Sequence, residues 1–129
     1  VHHSGTVAAA REAALHGRAA VAASQYHRRG TAIDWNRAAD WLAGVLAGLP
    51  LAATKPGEFW NVNFPDLPAT APAPAVVECA LDASPFTLAY RATDGGWHYD
   101  CRYHERPRAA GADVDVCFSG AIAVTRMRA

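Results

Sequence analysis

The 129-residue chain reads as an α/β protein, a fragment of a parallel sheet with helical crossovers that carries a β-hairpin extension toward its C-terminus. Three observations predict this. Two helix patterns alternate with two short apolar runs in the first half. A stretch with four prolines in eleven residues, PDLPATAPAPA (Pro65 to Ala75), then breaks the pattern. Beyond it, two aromatic-rich runs flank the turn signal TDGG.

Each element can be justified in order. From Thr6 to His16 the residues are mostly alanine, glutamate, arginine and leucine, strong helix formers, and Gly17 stands where a helix C-cap belongs. AAVAAS (Ala19 to Ser24) is a short apolar run whose length and flanks suit a buried strand. Asp34 is a good N-cap for a second helix, in which Trp35, Ala38, Ala39, Leu42, Val45, Leu46 and Leu49 recur at helical spacing until Pro50. FWNVNFP (Phe59 to Pro65) reads as a strand stopped by its proline. An order of helix, strand, helix, strand implies parallel strands with helical crossovers, and the first helix then calls for a strand before it. The chain is therefore expected to be cut from a larger α/β sheet. Residues 1–66 would be the C-terminal half of the layered domain, 67–76 a proline-rich connector, and 77–129 the hairpin extension with a returning last strand.

In the extension, FTLAYRA (Phe86 to Ala92) and WHYDCRY (Trp97 to Tyr103) fit a hairpin with a two-residue loop at Asp94-Gly95 or Gly95-Gly96. One face then carries Phe86, Leu88, Tyr90, Trp97, Tyr99, Cys101 and Tyr103, and the other Thr87, Arg91, His98, Asp100 and Arg102. A two-stranded ribbon is marginal alone in water, so the aromatic face is expected to lie against either its own domain or another subunit, with a partner subunit favoured. ERPRAAGADVDVCFSG reads as a loop and a short turn, and AIAVTRM (Ala121 to Met127) as the last strand.

Composition narrows the function classes. The chain is 51% hydrophobic and 19% charged, with Lys+Arg and Asp+Glu balanced at 12 each, so no global field draws it to nucleic acid or to an anionic membrane. Cys79, Cys101 and Cys117, odd in number and irregularly spaced, read as reduced thiols in a cytoplasmic protein. No apolar run reaches the roughly 18 residues of a membrane span. A missing signal peptide says little, because a chain starting at Val1 is expected to have lost its true N-terminus. No GxSxG, HExxH, Walker or Cys-x-x-Cys sequence occurs.

Four constellations could carry chemistry. At Ser4-Gly5-Thr6, free amides at a helix N-terminus, two hydroxyls and a glycine make a small anion site, with phosphate the natural ligand; the plainer reading is a helix cap. His98, Cys101 and His104 invite a zinc reading, which alternation along a strand opposes, since both histidines would point away from the cysteine. His2 and His3 could serve as general acid beside the triplet, or be a polar stub. Asp113 and Asp115 could hold a metal, but with no third ligand nearby more often cap a turn or pair with arginine.

Taken together, three stretches resemble the SurE survival-protein nucleotidases. Ser4-Gly5-Thr6-Val7 with the following AAAREAALHGRAAVAASQ looks like the family's SGTV turn, helix and serine-ended strand. Asn61, Val62, Asn63 and Pro65 match its NVN-P strand, and Asp113, Gly120 and Thr125 match its closing segment. The resemblance implies a Rossmann-like domain and a phosphatase that hydrolyses nucleoside 5′- and 3′-monophosphates with a divalent cation, Mg or Mn. It also implies dimers or tetramers that exchange the hairpin at 86–103. The family's metal ligands, an acidic pair, a serine and an asparagine, lie upstream of the SGTV turn and so outside this chain. What carries over is the phosphate side, Ser4, Gly5 and Thr6. His3 stands where the family has tyrosine, Ala8 where it often has glycine, Arg126 where proline commonly follows the threonine, and the usual C-terminal helix is missing. The competing expectation is a non-catalytic truncated module that acts only in subunit association.

Overall fold

A computed structural model describes residues 4–28, 30–85, 89–100 and 103–129. Helix α1 spans Gly5–Leu15, with Ser4 as N-cap. Its C-terminus closes as a Schellman motif: Gly17, at φ 70°, donates to the Ala14 carbonyl and Arg18 to that of Ala13, both at 3.0 Å. Strand β1 follows at Val21–Gln25 and helix α2 at Trp35–Gly48, capped by the Asp34 carboxylate, which accepts from the Arg37 amide at 3.0 Å. Strand β2 is Glu58–Phe64. These bounds differ from the expected ones by one or two residues. The largest difference is at β1, which starts later and runs one residue further because Gln25 still pairs with Phe64.

Beyond β2 lie strand β3 (Val76–Glu78), the hairpin strands β4 (Tyr90–Thr93) and β5 (Gly96–Tyr99), helix α3 (Asp113–Phe118) and strand β6 (Ile122–Arg128). The sequence predicts neither β3 nor α3. Three residues after a run of prolines show no periodicity. DVDVCF alternates like a strand, yet Asp113 and Asp115 in its first turn favour a helix N-terminus.

The main sheet has the order β1-β2-β6-β3. β1 and β2 are parallel, as the alternation of helices and strands requires, and α2 is their crossover. β6 inserts antiparallel to β2 and parallel to β3. Helices cover both faces. On one, Val7, Ala10 and Ala14 of α1 pack with Ala20, Ala22 and Phe59. On the other, Val45 of α2 packs with Trp60, Val62, Phe64, Ile122 and Val124. Strand alternation explains the division, because Phe59 and Trp60 are neighbours that point opposite ways.

The hairpin turns through Asp94-Gly95, with Thr93 opposite Gly96. Tyr90, Trp97 and Tyr99 share a face as expected, with Tyr90 and Tyr99 edge to face at 5.6 Å, and Arg91 meets Asp100 at 3.5 Å on the other. The expectations for Phe86, Thr87, Leu88, Cys101 and Arg102, and those for His2 and His3, fall outside the described residues. The returning limb is held to the sheet by Tyr26, whose hydroxyl hydrogen-bonds Nδ1 of His104 and whose ring stacks on Phe118 at 4.5 Å.

Candidate functional site

In α/β sheets, ligands gather where the parallel strands end at their carboxyl termini. Helix α1 runs antiparallel to β1 and β2, since the Gly57 amide, just before β2, donates to the Ala14 carbonyl at 3.1 Å near the end of the helix. The start of α1 therefore lies at the carboxyl edge, and the Ser4-Gly5-Thr6 triplet with it.

At that start, Ser4 Oγ accepts from the Val7 amide at 3.3 Å. The cap reading of Ser4 thus describes what its oxygen does. It does not use up the hydroxyl, whose proton is still free to donate outward. A helix leaves its first amides without intrahelical partners, and with Val7 satisfied by Ser4 and Ala8 by the Ser4 carbonyl at 2.9 Å, the amides of Gly5 and Thr6 have no acceptor among the described residues. Gly5 and Thr6 are exposed, and a Cβ built on Gly5 would meet no atom within 4 Å, so the space before the turn is open. Two amides without acceptors, at the positive end of the helix and beside the hydroxyls of Ser4 and Thr6, are chemically suited to an anion.

The neighbouring part of this edge is tied together by hydrogen bonds between side chains and backbone. The Gln25 side chain donates to the Tyr26 and Pro65 carbonyls at 2.7 and 2.9 Å, Asp66 accepts from the Arg28 amide at 2.9 Å, and Arg37 donates to the Pro68 and Ala71 carbonyls at 2.7 and 3.0 Å. These groups line a shallow cleft between α2 and the connector, but they are spent on backbone.

The other sequence candidates separate. Asp115 accepts from the Gly111 amide at 2.9 Å and pairs with Arg108 at 3.1 Å; the first bond most of all, then the arginine, holds its carboxyl below the usual range. Asp113 is buried, and its Oδ1 accepts from the Asp82 and Val114 amides at 2.8 and 2.9 Å. The pair caps a turn and an ion pair, as the plainer reading has it. His98 lies across from Arg91 in the hairpin, while His104 is bound by Tyr26. Among the described residues no three His, Cys, Asp or Glu side chains gather to hold a metal; Cys101 of the zinc reading lies outside them.

The family landmarks, far apart in sequence, meet in the sheet. Asn61 lies opposite Thr125 and Asn63 opposite Ala123, on the face that α1 covers, and Ser24 lies beside Asn63. In the sequence, Asn61 and Asn63 stand out only as landmarks of the family resemblance. The usable signal was the alternation in WNVNF, which sends both asparagines to one face and Trp60, Val62 and Phe64 to the other.

Comparison with known proteins agrees with this arrangement. The family described as survival protein SurE matches residues 1–82 of the 129. This chain belongs to the SurE family. Among relatives, a protein of Nostoc sp. named provisionally as a 5′-nucleotidase is 46% identical over 125 residues, covering 97% of this chain and 55% of that protein. A "5′-nucleotidase SurE" of Roseobacter denitrificans is 35% identical over 144 residues, covering 98% and 53%. The chain thus spans about half the length of the curated SurE relatives it matches. The crystal structure of a SurE protein from Aquifex aeolicus shares the fold, with a TM-score of 0.68 at 22% identity over 98% of this chain and 52% of that one. The Rossmann-like α/β class with a separate hairpin is therefore the SurE fold.

Proposed function

We propose that this chain supplies the phosphate-holding turn of a phosphatase that hydrolyses nucleoside 5′- and 3′-monophosphates. The observation that supports the reading is the open start of α1 at the carboxyl edge of the sheet, where the exposed Gly5 and Thr6 leave their amides without an acceptor among the described residues and Ser4 and Thr6 carry hydroxyls. Relatives named as 5′-nucleotidases support the substrate class. Fixed donors there hold the phosphate and stabilise charge that builds on its oxygens as the ester breaks. The family resemblance implies a divalent cation held by ligands upstream of the SGTV turn.

The test uses protein extended to its relatives' full length, given a nucleoside 5′-monophosphate with Mg or Mn. Phosphate release is expected, and Thr6→Val should slow it by about one to three orders of magnitude, as loss of a preorganised donor does. A near-normal rate would remove Thr6 from the site, and no release with several cations would sink the nucleotidase reading.

Self-association through the hairpin, as dimer or tetramer, is the second element of the proposal. It rests on the aromatic face, where Tyr90, Trp97 and Tyr99 are 58%, 76% and 45% exposed. Unpaired thiols at Cys79 and Cys117 fit a reducing cytoplasm. No described helix is long and apolar enough to cross a membrane.

A further inference from the structure

The face of the sheet beneath α1 changes character along its length. Toward the amino end it is apolar, with Ala20, Ala22, Phe59 and Met127 under the helix. Toward the carboxyl edge it becomes polar, with Ser24, Asn61, Asn63 and Thr125 on the same side by strand alternation. A sheet face covered by a helix is ordinarily apolar, and buried polar groups are ordinarily hydrogen-bonded. Asn61 is only 3% exposed and Ser24 and Asn63 are half-buried, yet none of the three side chains has a hydrogen-bond partner among the described residues. The Asn61 amide is not among the unpartnered atoms wholly cut off from solvent, so an opening reaches it.

That opening lies at the level of the triplet. The Gly57–Ala14 contact aligns the start of β2 with the end of α1. From Ala14 back to Ser4 the helix rises roughly 15 Å, which equals about four to five strand residues, so α1 begins level with the stretch from Asn61 to Asn63. The Gly5 and Thr6 amides at the helix start and the three polar side chains on the covered face of the strands therefore lie at one level of the sheet.

We propose that Ser24, Asn61 and Asn63 form the floor of the phosphate site, with the Asn63 amide donating to the same anion that the Gly5 and Thr6 amides hold and Asn61 lying behind it. This deepens the nucleotidase reading and rests on it. Neutral amides suit the task, because they donate to a phosphate dianion without the charge that would hold the product too tightly, whereas a carboxylate at the same place would repel it.

The experiment uses the full-length protein, with inorganic phosphate as the probe. Phosphate should compete with the nucleoside monophosphate, and Asn63→Asp should raise its inhibition constant at least tenfold, with Asn63→Ser giving a smaller rise in the same direction. In the wild type, which needs no variant to fold, the Asn63 side-chain amide resonances should move as phosphate is titrated. An inhibition constant within twofold of wild type in Asn63→Asp would overturn the floor. So would a lowered melting temperature with phosphate inhibition unchanged, which would assign the amides to holding another part of the chain. If Thr6→Val weakens phosphate inhibition while Asn63→Asp does not, the turn stands and the floor falls. If neither does while hydrolysis is seen, turn and floor both fall and the nucleotidase reading stands; if no hydrolysis is seen, the nucleotidase reading falls too.

Discussion

The thiol of Cys117 donates to the Phe64 carbonyl at 3.5 Å, and burial above all, with the charges of Asp113 and Cys79, pushes it up to about 12. Since the thiolate is the reactive form, Cys117 should resist iodoacetamide at pH 8 in the folded protein and react once the chain is unfolded; peptide mapping by mass spectrometry reads this out. Asp82 behaves oppositely. Burial raises its carboxyl, but hydrogen bonds from Ser84, whose amide lies at 2.7 Å, and the charge of Arg106 outweigh it and hold the group below the usual range. A depressed folded-state value contributes stability that is present above the ordinary carboxylate pKa of about 4 and is lost as pH falls through the folded value. Asp82→Asn should therefore flatten the decline of the urea midpoint on acidification, and an unchanged slope would exclude Asp82 as a contributor. The caps at Ser4 and Asp34 were legible in the sequence because a cap joins residues three apart. The setting of Asn63 was not, because it depends on register against β1 and β6, which no local pattern states.

Among the elements, α1, β1, α2 and β2 could be read directly, since each carries a full period of its pattern between a cap and a breaker. The place of β6 could not. Its residues spell a strand, but only tertiary structure says that it lies between β2 and β3 and runs against β2. That placement buries Ile122 among Trp60, Val62 and Phe64. Ile122→Ala should cost about 2–5 kcal/mol by urea denaturation, as large cavities in a core do. Val76→Ala, on the exposed side of the edge strand β3, should stay within about 0.5 kcal/mol. Near-equal losses would mean that β6 does not form the centre of the sheet in solution. Gly120 turns the chain into β6 at φ 96°, a conformation that favours glycine, and a Cβ there would come within 3.3 Å of Leu67 Cδ2, which would have to give by a few tenths of an ångström.

At the scale of the molecule, the hairpin projects an aromatic face while its returning limb is fixed to the sheet through Tyr26, His104 and Phe118. If that face binds a second copy, Trp97→Glu in the full-length protein should lower the mass seen by light scattering to that of one chain, with hydrolysis measured in parallel. An unchanged oligomer would move the interface elsewhere. The alternation of helices and strands made the layered half legible, and TDGG located the hairpin turn. What the hairpin touches was beyond reach, because an exposed aromatic face is equally written for any partner. The insertion of β6 also bears on how the chain comes off the ribosome. β1 and β2 can pair around α2 as soon as they emerge, but the neighbour that closes the other side of β2 is made only after the connector, hairpin and α3. Throughout that interval β2 offers a bare hydrogen-bonding edge flanked by Trp60, Val62 and Phe64, the kind of surface that nascent chains lose to aggregation and that chaperones shield.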